Sequence, residues 1–293
     1  MSKTLCFYNL KGGCGKTASC AYVGGLMSNL FSKRVLLVDL DPQANLTSIF
    51  LESNENLENL FESFKYWNKD SEDDYEEYEE EEIDEEPTIR DLILDKKVQA
   101  KELIKHTEYP NLDILPSCIE LSSVERELMG NATLVAQTIL KKKLSKISSN
   151  YDYILIDCSP SLGLLNVNAL GASDYAFVPM RSDGHSIHAL EFVHDYITEI
   201  QEDVSSNLKF GFCFLTQFDG REKNAKFCRS KLISSFDGYT DIPIRKDTDV
   251  ERISLPEDKR DPLPFDKPEK EQIKGAKDYV DLTKKIIEIC EAD

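Results

Sequence analysis

The chain lacks any apolar run of the ~18 residues that a membrane-spanning helix requires. Its opening, Met1-Ser2-Lys3-Thr4, has no basic region, no long apolar stretch and no small-residue cleavage site, so no secretory leader is expected and the cytoplasm is the expected compartment. None of its eight cysteines forms a Cys-x-x-Cys pair or a Cys/His cluster at zinc spacing, which argues against a zinc module, and no disulfide framework is expected in a reducing compartment. Most of the cysteines fall inside apolar runs and read as small buried hydrophobes. Bases are scarce beside acids, 35 against 54, for a net charge of −19. That balance would argue against nucleic acid if it were evenly spread, but residues 70–86 alone hold 13 acids and no base, and the remainder carries only −6.

What is present is a repeated alternation. Thr4–Asn9, Arg34–Asp39, Tyr153–Asp157, Tyr175–Pro179 and Phe210–Thr216 are short continuous apolar runs, as expected of parallel strands covered on both faces. Segments with helical spacing lie between or beyond them, at Lys16–Phe31, Thr133–Ser148, Ile187–Gln201 and Lys270–Cys290. The pattern predicts an α/β fold: a doubly wound, mostly parallel sheet flanked by helices. Tyr66–Pro87 breaks it. This acidic, low-complexity stretch is nearly free of aliphatic residues and is expected to be a disordered insert within one domain spanning residues 1–293.

Lys11-Gly12-Gly13-Cys14-Gly15-Lys16-Thr17 follows the first strand and opens the first helix. Glycines let backbone N–H groups turn toward phosphate oxygens, and the helix N-terminus behind them adds partial positive charge. Lys16 would reach the β- and γ-phosphates and the Thr17 hydroxyl would ligate Mg²⁺. The strict pattern G-x-x-x-x-G-K-[ST] fails at Leu10, and an additional lysine, Lys11, stands at the loop entrance.

That lysine carries a resemblance. Lys11–Thr17 resembles the deviant Walker A motif of the ParA/MinD ATPases, a P-loop NTPase class. Asp39-Leu40-Asp41-Pro42-Gln43-Ala44-Asn45 resembles the Walker A′ segment of that family, and Tyr153–Ser161 its Walker B strand and loop. Asn111–Ser117 and Leu215–Arg221 are similar to further family segments, and Ile242-Pro243 with Arg245 to a late loop near the base. The likeness covers most of the chain in the expected order, the acidic insert excepted, and is strongest to ParA/Soj-type partition ATPases without an extra N-terminal DNA-binding domain. Ala18 departs from it, standing where the family usually has a second threonine.

The resemblance implies ATP and Mg²⁺ as cofactors, bound by Lys11, Gly12, Gly13, Cys14, Gly15, Lys16, Thr17 and Ala18 with Pro243 and Arg245. Lys11, Lys16 and Asp41 take catalytic roles: Lys11 crosses a dimer interface to the partner's nucleotide, and Asp41 positions the attacking water. Thr17, Asp39 and Asp157 serve the metal. The alternative for Asp39 and Asp41, as strand-end residues, is capping of the next turn. The implied cycle is an ATP-dependent sandwich homodimer that binds DNA without sequence preference, associates with the nucleoid, and hydrolyses ATP slowly until a ParB-like centromere-binding partner stimulates it. The cargo is a plasmid or a chromosome. A MinD-like membrane switch or another positioning ATPase of the family shares the same core. The acidic ending Glu288–Asp293 does not suit a lipid-binding tail, so no membrane partner is expected.

Arg221, Lys223, Lys226, Arg229 and Lys231 stand against Glu222 alone, with Arg245, Lys246 and Arg252 beyond. They fit a phosphate-contacting patch, with Arg221, Lys223, Lys226 and Arg229 the candidate DNA contacts, or an ordinary solvated helix face. Cys14, at a helix N-terminus beside two lysines, fits either a reactive thiol shielded by ATP or an inert loop cysteine. His185 and His188 fit either a metal pair or solvated residues. Arg181–Ser186 receives no role.

Overall fold

The computed structural model describes residues 2–51, 87–129, 136–251, 253 and 274–292. The acidic insert expected at 66–87 lies outside the described residues apart from Pro87, as does Arg252.

Seven strands form one sheet: β1 (Lys3–Phe7), β2 (Val35–Leu40), β3 (Lys105–His106), β4 (Leu112–Leu115), β5 (Tyr153–Cys158), β6 (Tyr175–Arg181) and β7 (Lys209–Thr216), in the order β3-β4-β2-β5-β1-β6-β7. All neighbours run parallel except β3 against β4. The five predicted strands are present; β3 and β4 extend the sheet beyond β2.

Alternation of side chains along the strands divides the core in two. Leu5 and Phe7 of β1, Val35 and Leu37 of β2, and Tyr153 and Leu155 of β5 face one layer. Cys6, Leu36, Val38, Ile154 and Ile156 face the other. The first layer is closed by α1 (Lys16–Asn29), α2 (Asn45–Phe50) and, last in the chain, α11 (Lys274–Glu291). Tyr22 of α1 stacks on Tyr279 of α11 at 4.5 Å between ring centroids. Gly24 brings α1 down onto β2, because a Cβ there would sit 2.6 Å from Leu37 Cδ2. The second layer is formed by α3 (Ile89–Leu94), α4 (Ala100–Leu103), α5 (Leu121–Met129), α6 (Ile139–Leu144), α7 (Leu164–Ala172), α8 (Gly184–Asp203) and α9 (Lys223–Ser235). A short α10 (Thr248–Glu251) precedes α11.

The helix predicted over Thr133–Ser148 is broken: a 3₁₀ turn at Ala136–Thr138 leads into α6, and another follows at Ser148–Asn150. Asn168 of α7 accounts for the first break, its Nδ2 donating to Ala136 O and its Oδ1 accepting from Leu140 N. All eight cysteines are free, and seven are buried. No helix among the described residues is long and apolar enough to cross a membrane.

Candidate functional site

In an open parallel sheet the crevice lies beyond the carboxyl ends of the strands. β1 delivers Leu10–Gly15 there between β5 and β6. Gly13 (φ 66°) and Gly15 (φ 85°) adopt the left-handed region that glycine enters without cost. Gly15 is the N-cap of α1 and supplies no side chain to cap it, so the first-turn N–H groups remain available to an anion. A Cβ at Gly12 or Gly13 would meet nothing within 4 Å, so this side of the loop opens onto space. Lys16 is 6% exposed and its Nζ donates to Lys11 O at 3.2 Å, folding the ammonium across the loop.

Two carboxylates lie at the same depth. Asp39 and Asp157 are register partners on β2 and β5, and both share the parity of the residues packed against α1. Asp39 is saturated: Oδ1 accepts from Asp41 N, and Oδ2 accepts from both the N–H and the hydroxyl of Thr47. Burial raises its pKa to about 6, with the hydrogen bonds from Thr47 and Asp41 opposing the rise. Asp157 is fully buried and neither of its oxygens is held in a well-formed hydrogen bond, although the Thr17 hydroxyl is close enough to act on the carboxylate. Burial and the neighbouring Asp39 charge push its carboxyl well above the usual range, while Thr17 and Lys16 pull the other way. An orphaned buried carboxylate is a costly arrangement that a cation in the crevice would relieve. The donor set fits magnesium nucleotide: a loop of N–H groups, an ammonium, the Thr17 hydroxyl and an unsatisfied carboxylate. Among the described residues no group of three or more His, Cys, Asp or Glu side chains could hold a metal alone, as expected where phosphates supply the other oxygens. His185 and His188, both exposed on α8, gain no third ligand among those residues.

Lys11 points away from its own loop. Its Nζ lies 2.8 and 3.0 Å from the two carboxylate oxygens of Asp183 and 3.3 Å from Ser186 Oγ. Asp183 is also the N-cap of α8, accepting from Ser186 N. This gives a structural place to the Arg181–Ser186 segment. Cys14 does not fit the reactive reading: it is 1% exposed, and burial raises its thiol pKa although Lys16 pulls it down.

The late loop runs alongside the site. Ile244 N donates to Leu215 O, and the next residue, Thr216, donates its hydroxyl to Cys14 O at 2.8 Å. Pro243 directly precedes Ile244, and Arg245 turns its guanidinium to Asp278 of α11. Two arginines of the basic segment are ion-paired in the structure. Arg221 precedes α9 and forms a fork with Asp219, and Arg229 forms one with Asp241. Lys223, Lys226 and Lys231 are exposed, with no ion-pair partner among the described residues.

Four residues without an assigned role hold the site in shape. Thr216 ties β7 to the phosphate loop, and Asn9 bridges β6 to it by donating to Pro179 O and accepting from Lys11 N. Thr47 and Ser117 connect Asp39 to Asp41.

Comparison with known proteins agrees with this arrangement. A family model described as an AAA domain (AAA_31) matches residues 2–210. The sporulation initiation inhibitor protein Soj of Bacillus subtilis is 30% identical over 294 residues, covering 98% of this chain and 98% of that protein. The chromosome-partitioning ATPase Soj of Treponema pallidum is 28% identical, again covering 98% of each. A cobyrinic acid a,c-diamide synthase from Mycobacterium smegmatis, solved with an ATP analogue and magnesium, shares the fold with a TM-score of 0.70 at 22% identity over 97% of this chain and 93% of that one. The chain belongs to the AAA domain family and, within it, to the ParA/Soj-type ATPases.

Proposed function

We propose that this chain binds ATP with Mg²⁺ at the β1–α1 loop, pairs with a second copy across that nucleotide, binds DNA without sequence preference, and drives plasmid or chromosome partition with a ParB-like partner. It does so as one P-loop ATPase domain working in the cytoplasm and on the nucleoid. The observation that carries the nucleotide reading is the orphaned Asp157 beneath an uncapped helix N-terminus and beside Lys16.

The roles follow from position. Backbone N–H groups of Gly12–Ala18 cradle the phosphates and Lys16 neutralises the β- and γ-oxygens. Thr17 and Asp157 would hold magnesium, with Asp39 behind them, and the ion would supply charge neutralisation at the phosphates. Asp41 orients a water whose oxygen bonds to the γ-phosphorus as the bond to the ADP oxygen breaks. Lys11 suits delivery to another chain's nucleotide because its ammonium is not committed to its own cradle. The name of the Treponema pallidum relative, a chromosome-partitioning ATPase, supports partition as the setting. Lys223, Lys226 and Lys231 support a DNA-phosphate contact, with Arg221 and Arg229 contributing once they exchange their carboxylates for phosphates.

Sedimentation of the wild type and of Lys11→Gln, each with ADP or ATP and with or without DNA, tests the reading. A dimer formed by the wild type with ATP alone, and a shift onto DNA in the same state, are expected. A wild-type chain that stays monomeric with every nucleotide would refute it. Charge reversal at Lys223 and Lys226 is expected to weaken DNA binding and flatten its salt dependence.

A further inference from the structure

Asp41 sits in a closed ring of hydrogen bonds. Its N–H donates to Asp39 Oδ1 at 3.1 Å. Its carbonyl accepts from Ser117 Oγ at 2.8 Å. Ser117 N donates to Thr47 Oγ1 at 2.9 Å, and Thr47 Oγ1 donates to Asp39 Oδ2 at 2.8 Å, which completes the circuit. The ring joins three pieces of chain: the end of β2, the first turn of α2, and the residue two beyond β4. Asp39 is fully buried, and Asp41 and Ser117 are under a tenth exposed.

The backbone between these anchors is tightly wound. Ala44 occupies the left-handed region (φ 50°) that alanine avoids, and its N–H also donates to the Asp41 carbonyl at 2.9 Å. Gln43 N donates to Asp41 Oδ1 at 3.0 Å. A carboxylate on a turn of this kind is aimed by its own main chain, and the Asp41 main chain is gripped at the N–H by Asp39 and at the carbonyl by Ser117. The Ser117 hydroxyl is one of two donors on the Asp41 carbonyl. Without it the Asp41 carbonyl still accepts from Ala44, so no buried acceptor is orphaned.

We propose that Ser117 is a positioning residue that aims the Asp41 carboxylate, through a ring closed by Thr47 and Asp39. The inference rests on Asp41 being the water-orienting group. Its prediction is a loss of hydrolysis without a loss of nucleotide binding.

Single-turnover ATP hydrolysis, affinity for a non-hydrolysable ATP analogue, and thermal melting are to be measured for S117A, S117T, D41N and S117A/D41N. S117A is expected to slow hydrolysis about 10-fold while analogue affinity stays within about twofold of wild type, the signature of misaim rather than lost binding. S117T, which restores the hydroxyl, is expected to recover most of the rate. In the D41N background S117A is expected to change nothing further, because it acts through Asp41. A wild-type rate for S117A, analogue affinity falling in step with the rate, or an equal slowing of D41N would each overturn the inference. Should S117A melt well below wild type, Thr47→Ser, which keeps the ring hydroxyl, is compared with Thr47→Val, which removes it; equal rates for that pair would overturn the inference as well. Failure of the underlying reading looks different: D41N would hydrolyse at the wild-type rate, or no variant would bind the analogue.

Discussion

Replacing Asp157 by asparagine is expected to stabilise the nucleotide-free protein while abolishing its response to magnesium nucleotide. The side chain is fully buried, neither oxygen is held in a well-formed hydrogen bond, and Asp39 stands in register across the strand pair. A buried ion without partners costs several kcal/mol, but proton uptake caps that cost. Burial and Asp39 hold the folded-state carboxyl well above the usual range, so the folded chain binds this proton more tightly than the unfolded one. The group therefore favours folding fully below the unfolded carboxylate pKa, near 4. That contribution is lost as pH rises from there toward the folded value. At pH 8 the deficit cannot exceed ~5.4 kcal/mol, about four pH units at 1.36 kcal/mol each. The attraction of Lys16 reduces it, and the new amide, short of acceptors, returns ~1 kcal/mol. A net gain of about 1–2 kcal/mol at pH 8 remains. Urea unfolding in EDTA at pH 8 and pH 4.5 measures it, and the gap between variant and wild type is expected to shrink at the lower pH. With excess magnesium ATP the order reverses, because the wild type alone gains ~2.7 kcal/mol at a hundredfold excess over its dissociation constant. A variant less stable than wild type at pH 8 without metal, or a gap indifferent to pH, would refute the reasoning.

Three further outcomes are expected. Asp183→Asn keeps a good N-cap for α8 but drops the charge that holds Lys11; since both side chains are about a third exposed, stability should fall by no more than ~1 kcal/mol. ATP-dependent dimerisation by sedimentation should then be up to ~5-fold tighter, and a weaker dimer would mean that Asp183 serves the dimer instead of competing with it. Gly211→Ala places a Cβ on the buried Phe177 ring, so a loss of ~1–3 kcal/mol in urea unfolding is expected, and an unchanged midpoint would contradict the packing between β6 and β7. Cys14 should resist alkylation in the native protein with or without ATP and react on unfolding, as mass spectrometry of trapped peptides would report; rapid native labelling would contradict its burial.

The phosphate loop was legible because its signal is local: glycines, two lysines and a threonine lie in consecutive positions, and backbone conformation there is set by the residues themselves. Asp39 and Asp157 were legible for a related reason, each ending an apolar run. What escaped depends on partners distant in the chain. Thr216 reaches Cys14 across 202 residues and Lys11 finds Asp183 across 172, and no spacing rule announces either contact. Ser117 and Thr47 look like ordinary turn and helix residues until β4 is laid beside β2. The reactive reading of Cys14 failed because burial outweighs the pull of Lys16, and the Lys11 ammonium is turned away to Asp183. The ion pairs of Arg229 and Arg245 were likewise illegible, because Asp241 and Asp278 lie beyond the basic segment.

The two outer borders of the sheet carry a consequence of their own. On one side, the two residues of β3 run antiparallel along β4 and end its parallel growth. On the other, the stretch around Gly238–Lys246 occupies the open flank of β7: Gly238 O accepts from Cys213 N, Thr240 N donates to Cys213 O, Ile244 N donates to Leu215 O, and Phe218 N donates to Ile244 O. Among the described residues the last long strand on each side, β4 and β7, therefore carries a partner segment, which shortens the ladder that a second copy could extend, a route that leads to fibres. The proposed pairing of two copies lies elsewhere, at the strand tips, where a ligand would govern it.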